Sequence, residues 1–491
     1  MKIILVNSTS SLVRSNLIYR NFVLPLLPAG IGYIGAVLKR DGHSVITIDL
    51  LANKISDEEF LKKIEEEKPQ IVGFSCLTSS ATRAIDLAKK IKILNSRITL
   101  VWGNIHPTIF AEEILSQGLA DIVVRGEGEI TISELISAIE NKGTLRDVQG
   151  ISFRENGHIF HSPDRELIED LDDLVYPAWD LFDLKDYRRG CPMVSLYDVA
   201  IPIVGSRGCP YDCVFCSQEK FYKKARFRNS VKIVDEIETM HKRYQANFFG
   251  FTDANFPFSI RQGHEFCDEI IRRGLNKKIK WITETRADLV DPELLKKMKE
   301  SGLHTIMYGF EVGNAEILKG TKKGTTLEQA RQAMAATKKA GILSLGLFML
   351  GLPGETRSTC EDTIRFSKEL DCDFAKFNII VPYPGSKLFE DYKAKEIIIN
   401  NPDSATSWLD WFGYTDDRLI YAPEGMSGRE LIDLQREAMF QFYVRPKIIL
   451  RHIFKRTISF RNLILGGYIL IRKYIRTLFR RSVGILGVER K

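Results

Sequence analysis

Cysteine is scarce in this chain, with eight residues among 491. A disulfide framework needs far denser cysteine, so the thiols are read as reduced and the compartment as the cytoplasm. No leader pattern precedes them: Met1-Lys2-Ile3-Ile4-Leu5-Val6-Asn7 has the character of a buried strand, not of a targeting segment. Long apolar runs are missing where a membrane would need one. In the C-terminal tail the longest uncharged run, Asn462 to Ile471, is half of what a bilayer crossing requires. Acids are nearly absent there as well. From Arg445 to Lys491 there are 13 Lys or Arg against one acid, Glu489, a local +12 that leaves −5 for residues 1–444. With 44% hydrophobic and 27% charged residues the chain is globular, and its length suggests two or three domains.

Three of the cysteines stand together in Gly205-Ser206-Arg207-Gly208-Cys209-Pro210-Tyr211-Asp212-Cys213-Val214-Phe215-Cys216. On a Gly- and Pro-containing loop the C-x3-C-x2-C thiolates can turn toward one point. Structural zinc wants a fourth Cys or His at similar range, and none follows Cys216 before His241. Three thiolates are also one short of the four that an ordinary iron–sulfur cluster takes. The iron left open is what an enzyme needs if the cluster is to bind a small molecule and pass it an electron.

Residues 1–141 alternate short apolar runs with amphipathic stretches, which predicts a doubly wound parallel sheet covered on both faces. Such sheets bind ligands beyond the carboxyl ends of their strands. The loops there contain Pro28 and Gly30, Ser75 and Thr78, Gly103 and His106, and Gly126 and Glu127. Small and hydroxyl residues let a large flat ligand approach the backbone; helix caps and turns are the purely structural alternative. Residues 142–198 are expected to form a link, with a hairpin turning at Asn156-Gly157 and a lone thiol, Cys191.

From residue 199 to 390 six strand-and-helix repeats predict a partial (β/α)6 barrel, whose chemistry sits at the C-terminal strand ends. Those ends carry the cysteine loop, Asp253 to Phe256, Thr285 to Asp288, Gly309 to Glu311, Gly351-Leu352-Pro353-Gly354-Glu355 and Val381 to Gly385. Residues 391–491 are expected to be a mainly helical cap and basic amphipathic region, with Trp408, Trp411, Phe412 and Tyr414 either roofing the barrel mouth or forming the core of a small cap.

The cysteine spacing, with Phe215 just before the last cysteine, resembles the signature of the radical S-adenosylmethionine (radical SAM) superfamily. The four loops of residues 1–141, down to the H-P-T after the fourth strand and the R-G-E-G-E after the fifth, resemble the cobalamin-binding domain found ahead of many radical SAM cores. The resemblance covers roughly residues 1 to 390. It implies a 4Fe–4S cluster on Cys209, Cys213 and Cys216, and S-adenosylmethionine near Phe215, Asp253, Asn255, Arg286, Glu311, Gly351, Gly354 and Glu355. Arg286 would pair the carboxylate, Glu311 the ammonium or ribose, and the G-L-P-G-E turn would expose backbone to adenine. It also implies cobalamin beside Pro28, Gly30, Ser75, Thr78, Gly103, His106, Gly126 and Glu127. The D-x-H-x-x-G run of mutase-type domains is absent, so cobalt is expected to have no protein histidine beneath it; a degenerate domain that no longer binds cobalamin is the alternative.

The implied reaction is reductive cleavage of S-adenosylmethionine to a deoxyadenosyl radical and modification of an unactivated carbon, most often methylation. Related enzymes cyclise a tetrapyrrole or couple lipids, and an RNA-modifying methylthiotransferase shares the barrel. That last class would carry a second cluster, whereas the first 190 residues hold only Cys76. No catalytic residue is assigned beyond the cluster. The expected partners are a small-molecule or lipid substrate and a one-electron donor such as flavodoxin or ferredoxin. The basic tail, with Ile449, Ile453, Phe454 and Leu478 as anchors, suggests peripheral contact with the anionic inner face of the cell membrane. A helix pair packed on the barrel is the structural alternative, and nucleic acid is not expected as a partner.

Overall fold

The computed structural model describes residues 1–8, 26–187, 198–394 and 421–455, with Gly466, Gly467, Ile471, Arg472 and Ile475 beyond them. Cys191, the aromatic group from Trp408 to Tyr414, and Leu478 lie outside the described residues.

The first unit runs β1 (Lys2–Asn7), α1 (Ala29–Arg40), β2 (Ser44–Asp49), α2 (Asp57–Glu67), β3 (Ile71–Ser75), α3 (Ala81–Leu94), β4 (Thr99–Gly103), α4 (Ile105–Ile109), α5 (Ala111–Ser116), β5 (Ile122–Val124) and α6 (Glu129–Glu140). Its strands pair in parallel in the order β2-β1-β3-β4-β5. Ile3, Ile4, Leu5 and Val6 are all buried, as a strand covered by helices on both faces requires. Local signals set the helix ends: Ser56 and Glu59 close a capping box at the start of α2.

The stretch after α6 is not a free link. The hairpin of β6 (Ile151–Glu155) and β7 (His158–His161) adds to β5 antiparallel and brings the sheet to seven strands. Asn156 and Gly157 turn it with φ of 51° and 82°. A lone hairpin is marginal in water, while Ile151 and Phe153 give this one an apolar face to bury on an existing edge. Trp179 then fills the space over Gly32, where an added Cβ would come within 2.8 Å of its ring. The expected boundaries of 142–198 as a linker are therefore corrected: much of that stretch belongs to the first unit's core.

The second unit contains β8 (Ala200–Ile203), β9 (Ser206–Arg207), α7 (Gln218–Tyr222), β10 (Arg226–Phe227), α8 (Ser230–Tyr244), β11 (Phe248–Phe251), α9 (Ile260–Arg272), β12 (Lys280–Thr285), α10 (Pro292–Glu300), β13 (Leu303–Glu311), α11 (Ala315–Gly320), α12 (Leu327–Lys339), β14 (Leu343–Leu350), α13 (Arg357–Leu370), β15 (Phe374–Ile379) and α14 (Lys387–Ala394). Six parallel strands in the order β8-β11-β12-β13-β14-β15 make the partial barrel that the sequence predicts. Along β12, Trp281, Thr283 and Thr285 are buried, while Ile282 and Glu284 on the opposite face are only partly covered. Leu345 and Leu347 repeat the pattern on β14, so the lumen face is not closed and carries apolar side chains beside Glu284.

Helices α15 (Gly428–Tyr443) and α16 (Pro446–Phe454) follow. The Tyr443 hydroxyl donates to the Ala375 carbonyl and accepts from the Ala375 N–H, which fastens α15 to β15. The basic residues in and just after α16 pair with acids of the barrel: Lys447 and Arg451 reach Asp371 at 2.8 and 2.6 Å, and Lys455 reaches Asp373 at 3.0 Å, Arg451 mostly covered and the two lysines still exposed. Burial opposes ionisation of Asp371, yet Lys447 and Arg451 hold its carboxyl down at about 2. Leu450, Ile453 and Phe454 are left exposed. No helix among the described residues is long and apolar enough to cross a membrane.

Candidate active site

The cysteine loop leaves the end of β8 and is held at several points. Gly208 lies at φ 83°, where a Cβ would come within 2.5 Å of the Lys224 carbonyl oxygen, so only glycine lets the chain cross there. The Val214 N–H donates to the Thr321 carbonyl, and the Leu388 N–H donates to the Val214 carbonyl. Cys209, Cys213 and Cys216 are free and half-buried, whereas Cys76, Cys267, Cys360 and Cys372 are buried. Burial pushes the Cys213 thiol up to about 11, with the Lys323 ammonium working against it. Among the described residues no three His, Cys, Asp or Glu side chains converge on a single ion. Cluster sulfurs need not meet at one ion, because the thiolates are spread over several irons.

Around the loop the barrel rim supplies polar groups. The Asn255 side-chain N–H donates to the Cys209 sulfur at 3.3 Å. The Arg286 guanidinium lies 3.5 Å over the Tyr211 ring, donates twice to Asp288 and once to the Lys323 carbonyl. Its expected place opposite a ligand carboxylate is therefore taken in this structure by Asp288. Glu311, at φ 65° on the last residue of β13, forms a buried ion pair with Lys323 rather than presenting a bare carboxylate. Gly309 leaves room beneath them: a Cβ there would lie 2.5 Å from the Glu311 carboxylate and 2.6 Å from the Lys323 ammonium, so the pair would have to shift. Phe215 packs half-buried against an apolar cluster to which both units contribute, Val123 and Leu318 among its members.

Three expected ligand groups have other work. Asp253 accepts from the Gly205 N–H at 2.9 Å and from the Ser206 hydroxyl, and its burial raises the carboxyl to about 7. It ties the end of β11 to the start of the cysteine loop. Glu355 accepts from the Gly351 and Leu352 N–H groups at 2.6 and 2.8 Å, closing its own turn. Gly351 has Leu431 of α15 3.0 Å from where a Cβ would stand, so that backbone is covered by apolar side chain rather than open to adenine. Gly354 remains open, with only Ile317 at 3.8 Å.

On the first unit a cavity of about 380 Å³ is walled by Gly30, Ser75, Gly103 and Gly126, floored by apolar residues such as Leu5 and Val101, and lined on its far side by Gly208 and Thr252 of the barrel. A Cβ at Gly30 or Gly126 would meet nothing within 4 Å. The glycines thus leave their side of the cavity free of side chain, in a space of ordinary ligand-pocket size. A second, polar cleft of about 840 Å³ shares Gly126, Glu127 and Phe221 with it. The donor set fits a large planar group laid against backbone. Pro28 caps α1 and does not line the cavity, and neither do Thr78 and His106. His106 is buried beside Phe110, with its Nδ1 3.4 Å from the Thr78 hydroxyl, and burial pushes it down to about 3. In this structure these three stand outside the cavity's lining, and no histidine is among the residues lining it.

Glu127 lines the cavity but is held by protein. Its carboxylate accepts two hydrogen bonds from Arg226, at 2.8 and 3.0 Å, and one from Arg207 at 2.9 Å. Burial acts against ionisation, but Arg226 and Arg207 keep the carboxyl below its usual range. Sequence reasoning missed Lys323 and Glu284 as site groups. The lysine sits in an unremarkable G-T-K-K-G turn, and Glu284 could have been found from its phase with Ile282 on β12.

The pattern of the radical SAM superfamily matches residues 203–367, and that of the B12 binding domain matches residues 16–136. An uncharacterized methyltransferase of Pyrococcus horikoshii is 32% identical over 92% of this chain and 93% of its own. The anaerobic magnesium-protoporphyrin IX monomethyl ester cyclase of Rubrivivax gelatinosus is 31% identical over 94% of this chain and 80% of its own. In fold, the chain is similar to the radical S-adenosylmethionine methyltransferase TsrM of Kitasatospora setae, solved with cobalamin and a [4Fe-4S] cluster, at a TM-score of 0.66 and 17% identity, covering 94% of this chain and 89% of that one. The chain belongs to the cobalamin-dependent radical SAM enzymes, in which a B12 binding domain precedes a radical SAM barrel and the cofactors are a 4Fe–4S cluster, S-adenosylmethionine and cobalamin.

Proposed function

We propose that this enzyme methylates an unactivated carbon of an apolar substrate, with Cys209, Cys213 and Cys216 holding the cluster and Gly30, Ser75, Gly103 and Gly126 walling the cobalamin site. The observation that carries the reading is a single cavity lined both by the glycine loops of the first sheet and by Gly208, the neighbour of Cys209. A group held there lies beside the cysteine loop. When bound, the cluster and S-adenosylmethionine supply one-electron cleavage of a sulfonium C–S bond, and cobalamin supplies a transferable methyl group. The chain's own residues position these groups. Asn255 directs an N–H at the Cys209 sulfur, Arg286 stacks on Tyr211 within the loop, and the Glu311–Lys323 pair keeps opposite charges beside the thiols. Phe215 and Gly354 complete the set offered to S-adenosylmethionine.

The apolar substrate is supported by the half-covered Ile282, Leu345 and Leu347 in the barrel lumen. Peripheral membrane contact is assigned to α16, where Leu450, Ile453 and Phe454 are 51%, 47% and 80% exposed. Because the charges of Lys447, Arg451 and Lys455 are met by Asp371 and Asp373, the contact made by this helix is hydrophobic more than electrostatic. The similarity to the cyclase over 94% of the chain favours a second reading, cyclisation or coupling on a tetrapyrrole or lipid.

The two are separated by incubating anaerobically reconstituted enzyme, a reduced flavodoxin or ferredoxin, and methyl-labelled S-adenosylmethionine with a membrane extract. Label in a lipid-soluble product supports methylation. Substrate loss without transferred label rejects it in favour of cyclisation or coupling.

A further inference from the structure

The cysteine loop is closed at its feet by a two-residue antiparallel ribbon, β9 against β10, in which Arg207 stands directly opposite Arg226. Two like charges facing each other across so short a ladder repel, and Arg207 and Arg226 are only 8% and 5% exposed, so water does little to screen them. The compensation comes from the other unit. Glu127 takes Arg226 bidentately and Arg207 once, and Glu129 takes the rest of the Arg207 guanidinium. Ile168 completes the set, its N–H donating to Glu127 and its carbonyl accepting from Arg226. Two guanidinium groups and two carboxylates cancel in a buried cluster just ahead of Cys209. Glu127 and Glu129 also line the cavity of the first sheet, as do Arg207 and Gly208.

We propose that Glu127 and Glu129 are positioning residues for the three-cysteine loop, acting through Arg207 and Arg226, so that the turn after β5 sets where the iron–sulfur site stands relative to the cavity. The first unit is then part of the machinery that builds the cluster site. This rests on Cys209, Cys213 and Cys216 being the cluster ligands.

The test uses the full chain, purified anaerobically and reconstituted with iron and sulfide, in Glu127→Gln, Glu129→Gln and the charge-balanced Glu127→Gln/Arg226→Gln. Cys213→Ala and Glu134→Gln run beside them; Glu134 shares the α6 helix with Glu129 but pairs with Arg165 and not with either arginine of the ribbon. Iron content, the electron paramagnetic resonance spectrum of the reduced cluster with S-adenosylmethionine, and melting temperature are measured. Glu127→Gln and Glu129→Gln should alter the spectrum and lower S-adenosylmethionine cleavage at least about tenfold, as small misplacements of a reacting group do. The double variant should recover wild-type melting but keep the altered spectrum, because the loop is no longer tied by Arg226. If Glu127→Gln does not fold, the double variant decides. Wild-type melting together with a wild-type spectrum in the double variant overturns the proposal, as does an equal change in Glu134→Gln. Full iron content in Cys213→Ala would instead overturn the cluster assignment beneath it.

Discussion

Glu284 is the group whose removal should make the protein more stable, and only above a certain pH. It lies on the lumen face of β12, half-buried, and its carboxyl takes no hydrogen bond among the described residues. Burial raises it from 4.5 to about 7, the Glu311 carboxylate adds to the rise, and Lys323 and Lys376 oppose it. Between about pH 4.5 and 7 the folded chain therefore holds a proton that the unfolded chain has released. Stability falls as pH rises through that window and levels off above it. The rise corresponds to about 3 kcal/mol at about 1.4 kcal/mol per pH unit. Glu284→Gln keeps the shape and removes the charge. It should match the wild type near pH 4 and exceed it at pH 8 by up to about 3 kcal/mol, or roughly 6–12 °C in melting temperature for a domain of this size. Scanning calorimetry or fluorimetry from pH 5 to 8 reads the difference directly. A variant whose advantage does not grow with pH, or which is less stable at pH 8, refutes the assignment of a buried, proton-holding carboxyl.

Gly30→Phe should fill the first-sheet cavity without a backbone clash and weaken cobalamin binding at least about 100-fold, some 2.7 kcal/mol, while iron content stays unchanged. Equilibrium dialysis checks it, and wild-type affinity would place cobalamin elsewhere. Lys323→Met leaves Glu311 buried and alone and should cost about 3–5 kcal/mol, most of it recovered in Lys323→Met/Glu311→Gln, as thermal unfolding of the two variants will show. Phe454→Ser changes a side chain that is 80% exposed and should alter stability by less than about 0.5 kcal/mol. It should lower vesicle binding about tenfold on neutral and anionic lipid alike, since burying a Phe contributes about 1.5–3 kcal/mol. Sedimentation that is unchanged by the substitution would remove α16 from the membrane contact.

The features legible in the sequence are those whose causes lie close together along it. An apolar run of strand length between amphipathic stretches predicts a covered parallel strand, and both sheets follow from that repeat. Asn156-Gly157 predicts its hairpin because both residues adopt positive φ. The cysteine spacing and the glycines after the strands are equally local. What the sequence could not show is which partner each charged group meets. Asp253, Glu127 and Glu355 were legible as carboxylates at strand ends, but each is taken by protein donors that no local pattern specifies.

The sequence by itself thus determined the two α/β units, the three-thiol loop and the family, since these depend on spacing within a few turns of chain. Tertiary structure decided that Glu127 closes on Arg226, 99 residues away, that β6 and β7 complete the first sheet, and that the cations of α16 and of Lys455 after it are paired with Asp371 and Asp373. A buried charge must be met by its opposite wherever the fold brings one, and that meeting is set by how the layers pack, not by the order of residues along the chain.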